Sequence, residues 1–288
     1  FLDRVTGEAR YCVGSDDPSH RVLGGLKGRS PSNLRADTLG DWLKAKNPNH
    51  RVFAVSAKDR AAITLAGVHP DGVYWYDSAQ GRFTTSGYYE DQLPQYLRTF
   101  NGQDPAVDGF MQGFPERWTH SADGARADDY EGEDTRYERV SGHPLMQGTF
   151  EEIAKQVYAS PFIDEATMEL AQLMLIEEAI GQGAAMDLLS ISLSATDTVG
   201  HLYGPRSAEA ADSLARLDQM LGTFFSVLDE RLGVNNYWVV LTADHGVAEL
   251  PEWTDEINTL SCPSDTGRLT PESLYLGLNW HLYKTFTW

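Results

Sequence analysis

The apolar residues between positions 187 and 241 change their spacing twice along the chain. In 187–195 an apolar side chain occurs at every second position, which predicts a strand with two unlike faces. The spacing then becomes three or four residues, which predicts one buried stripe of a helix. This stripe consists of Leu214, Leu217, Leu221, Phe224, Leu228 and Leu232. A continuous apolar run at 237–241 predicts a second strand, so the order is strand, helix, strand.

Two residues mark the ends of the predicted helix. Ser207 is of a type that caps the N-terminus of helices, and Gly233 is of the type that most often ends them. A helix of this length between two strands is the usual crossover of a parallel pair, so both strands should point the same way. The sequence therefore predicts an α/β fold with a mostly parallel sheet.

Each of the two predicted strands runs into a pair of potential metal ligands. The first strand is followed by S-A-T-D-T-V-G-H, which contains Asp197 and His201, and the second by T-A-D-H-G, which contains Asp244 and His245. The carboxyl ends of parallel strands lie side by side, where open α/β sheets bind their ligands. Two carboxylates brought together there would repel unless a cation lay between them. Carboxylate and imidazole together favour zinc, manganese or iron over calcium and magnesium, and zinc is our first choice.

Each motif taken alone has a simpler explanation. Asp197 and Asp244 would cap turns, and the two histidines would lie on the surface, because short motifs often match by chance. Two such motifs, each ending a strand of one crossover unit, favour the metal site instead.

The segment T-D-T-V-G-H-L-Y-G-P, followed by a helix and then L-T-A-D-H-G, resembles the alkaline phosphatase superfamily. Within it, the similarity is to the phosphodiesterase and nucleotide pyrophosphatase group. The resemblance implies a mostly parallel sheet with helices on both faces. It also implies two zinc ions, of which Asp197 and His201 would bind one and Asp244 and His245 the other.

A third predicted strand, R-V-F-A-V-S at 51–56, also ends in charged residues, S-A-K-D-R. Lys58 and Arg60 flank Asp59, and an isolated group of this kind is most simply a solvated surface pair. Beside a metal site, the same ammonium and guanidinium would bind a phosphate dianion. The segment resembles the monoesterase branch of the superfamily, in which a lysine and an arginine at these positions bind the non-bridging phosphate oxygens.

Composition restricts the partners of the protein. The chain has 288 residues, 41% of them hydrophobic, which is enough for a large core. Its net charge of −19 argues against nucleic acids and anionic membranes, and a small phosphate ester would need local cations such as Lys58 and Arg60. No apolar run is long enough to span a membrane. The two cysteines, Cys12 and Cys262, could pair, and their spacing does not decide it.

Residues 102–150 interrupt the alternation of strands and helices with polar and acidic residues. We predict an inserted loop or cap in this range, and we assign 1–101 and 151–288 to a phosphatase-like core. The carboxylates of the insertion lack the order of a calcium-binding loop, so a solvated loop is the simpler interpretation.

The pattern of the superfamily extends beyond both ends of this sequence. The resemblance places an aspartate ligand and a threonine or serine nucleophile before Phe1, and a histidine ligand after Trp288. Thr84, Thr85 and Thr198 do not occupy the place of that nucleophile. We therefore expect a core that is truncated at both ends, with an incomplete metal site and little or no turnover in the isolated chain.

The resemblance implies that the intact protein is a metal-dependent phosphate monoesterase that forms a phospho-enzyme. One alternative is a phosphodiesterase or nucleotide pyrophosphatase with the same metals, and a phosphomutase is a weaker one. A truncated relative without activity, which retains the fold for an interaction, is the alternative from a different class. By analogy with related monoesterases, the expected location is the periplasm or the outside of the cell.

Overall fold

The computed structural model describes residues 2, 4–104, 106–120, 124, 126–257 and 271–286, and a four-stranded sheet lies at its centre. The strands, in chain order, are β1 (Gly14–Ser15), β2 (Gly28–Arg29), β3 (Arg51–Ser56), β4 (Gly72–Asp77), β5 (Arg82–Thr84), β6 (Arg117–Trp118), β7 (His143–Pro144) and β8 (Asp187–Ser192). The α-helices are α1 (Leu39–Lys46), α2 (Asp59–Ala66), α3 (Gln95–Phe100), α4 (Phe150–Tyr158), α5 (Phe162–Glu177), α6 (Ala195–Tyr203), α7 (Ala208–Leu232), α8 (Pro251–Ile257) and α9 (Pro271–Phe286).

The central sheet has the strand order β5-β4-β3-β8. Strand β3 pairs in parallel with both β4 and β8, and β5 pairs antiparallel with β4. The register aligns Ser56, the last residue of β3, with Ser192, the last residue of β8. The prediction of an α/β fold with a mostly parallel sheet is confirmed, and the carboxyl ends of β3 and β8 are level.

Alternate side chains of β3 and β4 pack into two different hydrophobic cores. Phe53 and Tyr74 belong to a large core that also contains apolar residues of α5 and α7. Ala54 and Trp75 belong to a smaller core that contains apolar residues of α2. Because neighbouring strand residues point to opposite faces, helices cover both faces of the sheet, as the resemblance implies.

The ends of α7 agree with the signals in the sequence. Ser207 Oγ accepts a hydrogen bond from the Ala210 N–H at 3.0 Å, which satisfies one of the unpaired donors at the start of the helix. Gly233 follows the last helical residue with a φ of 85°, a conformation that costs glycine little.

The predicted strand at 237–241 is wrong. This segment forms no strand in the structure, and Trp238 and Val240 are 94% and 88% exposed. Branched and aromatic residues favour strands because they fit a pleated, half-buried surface, so they form none where no neighbouring strand supplies that surface. Strand β8 is therefore an edge strand of the described sheet, and all six of its residues are only partly buried.

Among its described residues, the predicted insertion at 102–150 contains little regular structure. Strands β6 and β7 pair antiparallel within it. Trp118 and Leu145 are fully buried or nearly so, and both lie in the same large core as the sheet. These contacts attach the segment to the α/β core, and its role as a cap stays a prediction.

Two smaller sequence features concern cysteines and membranes. Cys12 is exposed, and Cys262, its possible disulfide partner, lies outside the described residues. None of the helices in the described ranges combines the length and the hydrophobicity that crossing a membrane requires.

The break after β8 contains the short helix α6, which begins against a buried carboxylate. Asp164 on α5 is 2% exposed and accepts hydrogen bonds from the Ser194 N–H at 2.7 Å and from the Ala195 N–H at 3.1 Å. The first N–H groups of a helix have no partner within it, and a negative charge there is stabilised by the helix dipole. Asp164 therefore fixes the start of α6, the helix that carries Asp197 and His201, against α5.

Gly40 on α1 tests how this helix packs on the sheet, and Gly222 on α7 is the control. A Cβ atom at Gly40 would lie 2.7 Å from Val52 Cγ1 and 2.9 Å from the Ala66 carbonyl oxygen, so Gly40→Ala should lower the free energy of unfolding by about 1–3 kcal/mol. Nothing lies within 4 Å of a Cβ atom at Gly222 on α7. Gly222→Ala should therefore raise the free energy of unfolding by up to about 1 kcal/mol, because alanine favours the helix. Denaturant unfolding measures both changes, and effects of the same sign would contradict this packing.

The pH dependence of stability tests the environment of Asp164. Burial raises its pKa from 3.8 to about 7, although the N–H groups of Ala195 and Ser194 and the charge of Lys58 oppose the increase. Folding therefore favours the protonated carboxyl group, and its contribution to stability is complete at low pH and is lost as the pH rises through the folded pKa. Asp164→Asn removes this titration. The free energy of unfolding of the variant, minus that of the wild type, should rise by on the order of 4 kcal/mol between about pH 4 and about pH 8.

Asp164→Ala separates the titration from the hydrogen bonds. It should follow the same trend with pH but lie lower by about 1–2 kcal/mol, because it also loses the acceptor for the first N–H groups of α6. Denaturant unfolding at a series of pH values measures both differences. A difference between Asp164→Asn and the wild type that stays constant over this range would show that the carboxyl group does not titrate as described.

Candidate functional site

Asp197, in the first turn of α6, is the centre of the candidate site. The Lys58 ammonium forms an ion pair with Asp197 Oδ2. His201 Nε2 lies 3.2 Å from Asp197 Oδ1, and His245 Nε2 lies 3.9 Å from the same oxygen. Three of the four predicted metal ligands and one of the two predicted phosphate-binding residues thus meet at a single carboxylate.

The register of the sheet brings Lys58 and Asp197 together. Lys58 follows the end of β3 and immediately precedes α2, and its N–H donates to Ser56 Oγ at 3.0 Å. Asp197 follows the end of β8 on the neighbouring helix α6. Because Ser56 and Ser192 are paired in register, the residues that follow the two strands lie next to each other at one edge of the sheet.

The surroundings of Asp197 stabilise its ionised form. Burial opposes ionisation, but the hydrogen bond from Lys58 and the charges of Lys58, His201 and His245 outweigh it and lower the pKa of Asp197. The Asp197 side chain is 23% exposed and that of Lys58 is 15% exposed, so the ion pair is only partly solvated. An ionised carboxylate next to two imidazoles is a suitable set of donors for zinc.

Asp244 is the predicted ligand that does not join this group. Its side chain is 84% exposed and lies 3.5 Å from His245 Nε2. Among the described residues, no three of the four predicted ligands have donor atoms within 4.8 Å of one another. Asp244 follows the segment 237–241, which does not form its predicted strand, so no sheet hydrogen bonds fix its position.

Asp59 does not neutralise the two cations that flank it. Its carboxylate binds the Arg29 guanidinium and accepts a hydrogen bond from Tyr11 Oη at 2.6 Å. The Arg60 guanidinium is 3.5 Å from the same Tyr11 oxygen, and Arg60 is exposed. Arg60 therefore has a charge that is available to a ligand, and Arg29 is held beside it.

A cavity of 520 Å³ lies next to Lys58 and Arg60. Its basic lining residues are Lys27, Arg29, Lys58 and Arg60, and its acidic ones are Asp59 and Asp77. The cations outnumber the carboxylates there, although the chain as a whole carries a net charge of −19. The cavity is therefore a local positive region that suits an anion. Lys27 and Arg29 belong to no motif, and only the folded chain brings them to Lys58.

The hydroxyl groups of the three threonines that fall outside the nucleophile position are buried or bonded to the backbone. Thr84 and Thr85 are fully buried. Thr198 Oγ1 donates to the Ser194 carbonyl oxygen at 3.0 Å, which is a bond within the first turn of α6.

Similarity to known proteins extends over most of the chain. The model of the family described as type I phosphodiesterase / nucleotide pyrophosphatase matches residues 1–276. Alkaline phosphatase PhoV of Synechococcus elongatus is 36% identical over 262 residues, which cover 87% of this chain and 46% of PhoV. Alkaline phosphatase PafA of Elizabethkingia meningoseptica is 34% identical over 264 residues, which cover 86% of this chain and 47% of PafA.

The fold is also similar to a solved structure. The crystal structure of wild-type alkaline phosphatase PafA matches 90% of this chain and 49% of its own, with a TM-score of 0.76 and 29% sequence identity. This chain spans about half the length of the relatives it matches. With its motifs gathered at Asp197 and the family pattern matched over 276 residues, the chain belongs to the type I phosphodiesterase and nucleotide pyrophosphatase family.

Proposed function

We propose that this protein is a metal-dependent phosphate monoesterase of the alkaline phosphatase type. The observation that supports this most strongly is the convergence of Lys58, His201 and His245 on Asp197, beside a basic cavity. Two relatives that carry the name alkaline phosphatase, PhoV and PafA, support the same activity. The substrate would be a small phosphate ester, and the protein would act in the periplasm or outside the cell.

The residues proposed to hold two zinc ions are Asp197 with His201 and Asp244 with His245. Their donor atoms are of the kinds that zinc prefers, and Asp197 with the two imidazoles already lies at one edge of the sheet. Bound zinc would supply a Lewis acid that polarises the phosphate and lowers the pKa of a hydroxyl nucleophile. A phospho-enzyme intermediate is part of this proposal.

Lys58 would change its partner when a divalent cation binds at Asp197. Its ammonium now contacts the Asp197 carboxylate, and two cations at one carboxylate repel each other. Lys58 also lines the cavity, so its ammonium has an anion-binding position within reach. The ion pair would thus keep the carboxylate and the ammonium close together until metal and phosphate replace the contact between them.

Lys58 and Arg60 would bind the non-bridging oxygens of the phosphate. The guanidinium can donate two parallel hydrogen bonds to a pair of oxygens, and the ammonium contributes a point charge. Negative charge spreads over these oxygens in phosphoryl transfer, so cations placed beforehand stabilise the transition state. Arg29, which is held by Asp59, adds to the positive potential of the cavity.

A phosphodiesterase or nucleotide pyrophosphatase is the second candidate, because the description of the matching family names those activities. A monoester carries one more negative charge than a diester at neutral pH. The paired cations Lys58 and Arg60 therefore favour the monoester, since the attraction between charges grows with their product.

Replacement of the two cations tests the proposal. Lys58→Ala and Arg60→Ala should each lower kcat/KM for an aryl phosphate monoester by about 100-fold, and should lower it for a bis-aryl phosphate by less than about tenfold. The reason is that only the monoester presents the additional charge. Zinc-dependent hydrolysis by the complete protein is the measurement, and Lys46→Ala, an exposed lysine on α1, is the matched control.

The possible results separate the candidates. Equal losses for the two substrates would contradict the monoesterase and favour the diesterase. A complete protein that hydrolyses neither ester, with or without zinc, would support a relative that retains the fold without catalysis.

A further inference from the structure

Three ligand-type side chains meet in the interior at a place that includes none of the residues discussed above. His120 and His143 belong to the segment 102–150, and Glu209 lies in the first turn of α7. One donor atom of each lies within 4.8 Å of the donor atoms of the other two. His143 and Glu209 are 66 positions apart in the sequence, so no local motif predicts this group.

The group is almost completely shielded from solvent. The side chains of His143 and Glu209 are 1% and 0% exposed, and that of His120 is 6% exposed. Asp128 lies beside them, with its Oδ1 atom 2.9 Å from His120 Nε2. Within the described part of the chain, His120 Nε2, Asp128 Oδ1 and Glu209 Oε2 make no hydrogen bond. A buried polar atom without a partner costs about 1–3 kcal/mol. His120 Nε2 and Asp128 Oδ1 face each other as an ion pair, so Glu209 Oε2, beside the two imidazoles, is the atom that most clearly indicates a place for a ligand.

The hydrogen bonds of His143 show which of its nitrogens is free to bind. Its Nδ1 lies 3.0 Å from the Tyr137 carbonyl oxygen, which can only accept, and 3.2 Å from Tyr203 Oη, which can accept as well as donate, so we assign a proton to Nδ1. In the neutral ring Nε2 then presents a lone pair, yet it lies 3.1 Å from Glu209 Oε1, which also accepts. Histidines that bind metals commonly donate their other ring N–H to a backbone carbonyl in this way.

The separations between donor atoms fit a small tetrahedral ion. His143 Nε2 and Glu209 Oε1 are 3.1 Å apart, and His120 Nε2 and Glu209 Oε1 are 3.6 Å apart. Two ligands of a tetrahedral zinc ion with bonds of about 2.0 Å lie about 3.3 Å apart. Two neutral imidazoles and two carboxylates also balance the charge of one divalent cation.

We propose that His120, His143, Glu209 and Asp128 form a structural zinc site. Protein side chains then supply all four ligands, as in other structural zinc sites. Three of them are buried, and Asp128, whose side chain is 34% exposed, lies at the edge of the site. The ion joins three points of the segment 102–150 to the first turn of α7. Because α7 follows directly after α6, the site fixes this segment beside the helix that carries Asp197.

Protonated histidines are the competing explanation for this group. An imidazolium at His143 would donate a hydrogen bond from Nε2 to Glu209 Oε1, with a proton in place of the metal ion. A proton on His120 Nε2 would serve Asp128 Oδ1, 2.9 Å away, but this arrangement leaves Glu209 Oε2 without a hydrogen bond. Metal content distinguishes the two explanations directly.

The test uses the complete protein with Asp197→Asn and Asp244→Asn, which remove one carboxylate from each proposed catalytic metal pair. After dialysis against a weak chelator, elemental analysis should find about one zinc ion per chain. Adding His120→Gln and Glu209→Gln should remove it, whereas adding His50→Gln, a histidine that bonds the Met186 N–H far from this group in sequence, should not. Equal zinc content with and without His120→Gln and Glu209→Gln would overturn the proposal.

Cobalt provides a readout that does not depend on the stability of the double variant. Co²⁺ bound to the protein with an intact His120 group should give the strong visible absorption of a tetrahedral site, and Zn²⁺ should abolish it by displacement. Asp128→Asn should weaken Co²⁺ binding about tenfold or more while the far-ultraviolet circular dichroism stays unchanged. Absence of this absorption in the protein with Asp197→Asn and Asp244→Asn would also overturn the proposal.

Discussion

The ion pair between Lys58 and Asp197 joins the carboxyl ends of two neighbouring parallel strands, and the candidate site depends on it. The pair forms because β3 and β8 end in register, so the residues after each strand emerge side by side. It keeps a carboxylate ionised at a partly buried position and holds an ammonium at the border of the basic cavity. The two imidazoles lie near the same carboxylate. His201 is on the same helix as Asp197, whereas His245 follows the segment 237–241, which forms no strand.

The helix α6 that carries Asp197 is held at both ends by hydrogen bonds to side chains of other segments. Asp164 accepts hydrogen bonds at its N-terminus. Arg126, from the segment 102–150, donates to the carbonyl oxygen of Tyr203, the last residue of the helix. Arg126 also forms a buried ion pair with Glu133 at 2.8 Å. The segment 102–150 thus contributes to the position of Asp197 through the C-terminal end of its helix, and the proposed zinc site would reinforce the same attachment.

The sequence predicts those features that depend on near neighbours along the chain. The strand β8, the helix α7 and the cap at Ser207 are local, and the structure confirms them. The buried stripe predicted for α7 is confirmed only in part, because Phe224 and Leu228 are buried but Leu214 is 51% exposed. The meeting of Lys58 with Asp197 is predictable in part, because strand direction places both residues at the same edge of the sheet. The adjacency of β3 and β8 and their register are properties of the folded sheet. The prediction of a strand at 237–241 is wrong because a strand needs a neighbouring strand to pair with, and periodicity does not show whether one is present. The positions of Arg29 and of the His120 group depend on how irregular segments pack on the core, and neither periodicity nor motif spacing predicts that packing.

The most direct measurement is a crystal structure of the complete protein with zinc, with anomalous diffraction recorded at the zinc absorption edge. We expect an anomalous peak about 2.0–2.2 Å from the Asp197 carboxylate, with the Lys58 ammonium moved from that carboxylate towards the cavity. An intact pair between Lys58 and Asp197 with no anomalous peak beside it, in crystals grown with excess zinc, would contradict the account.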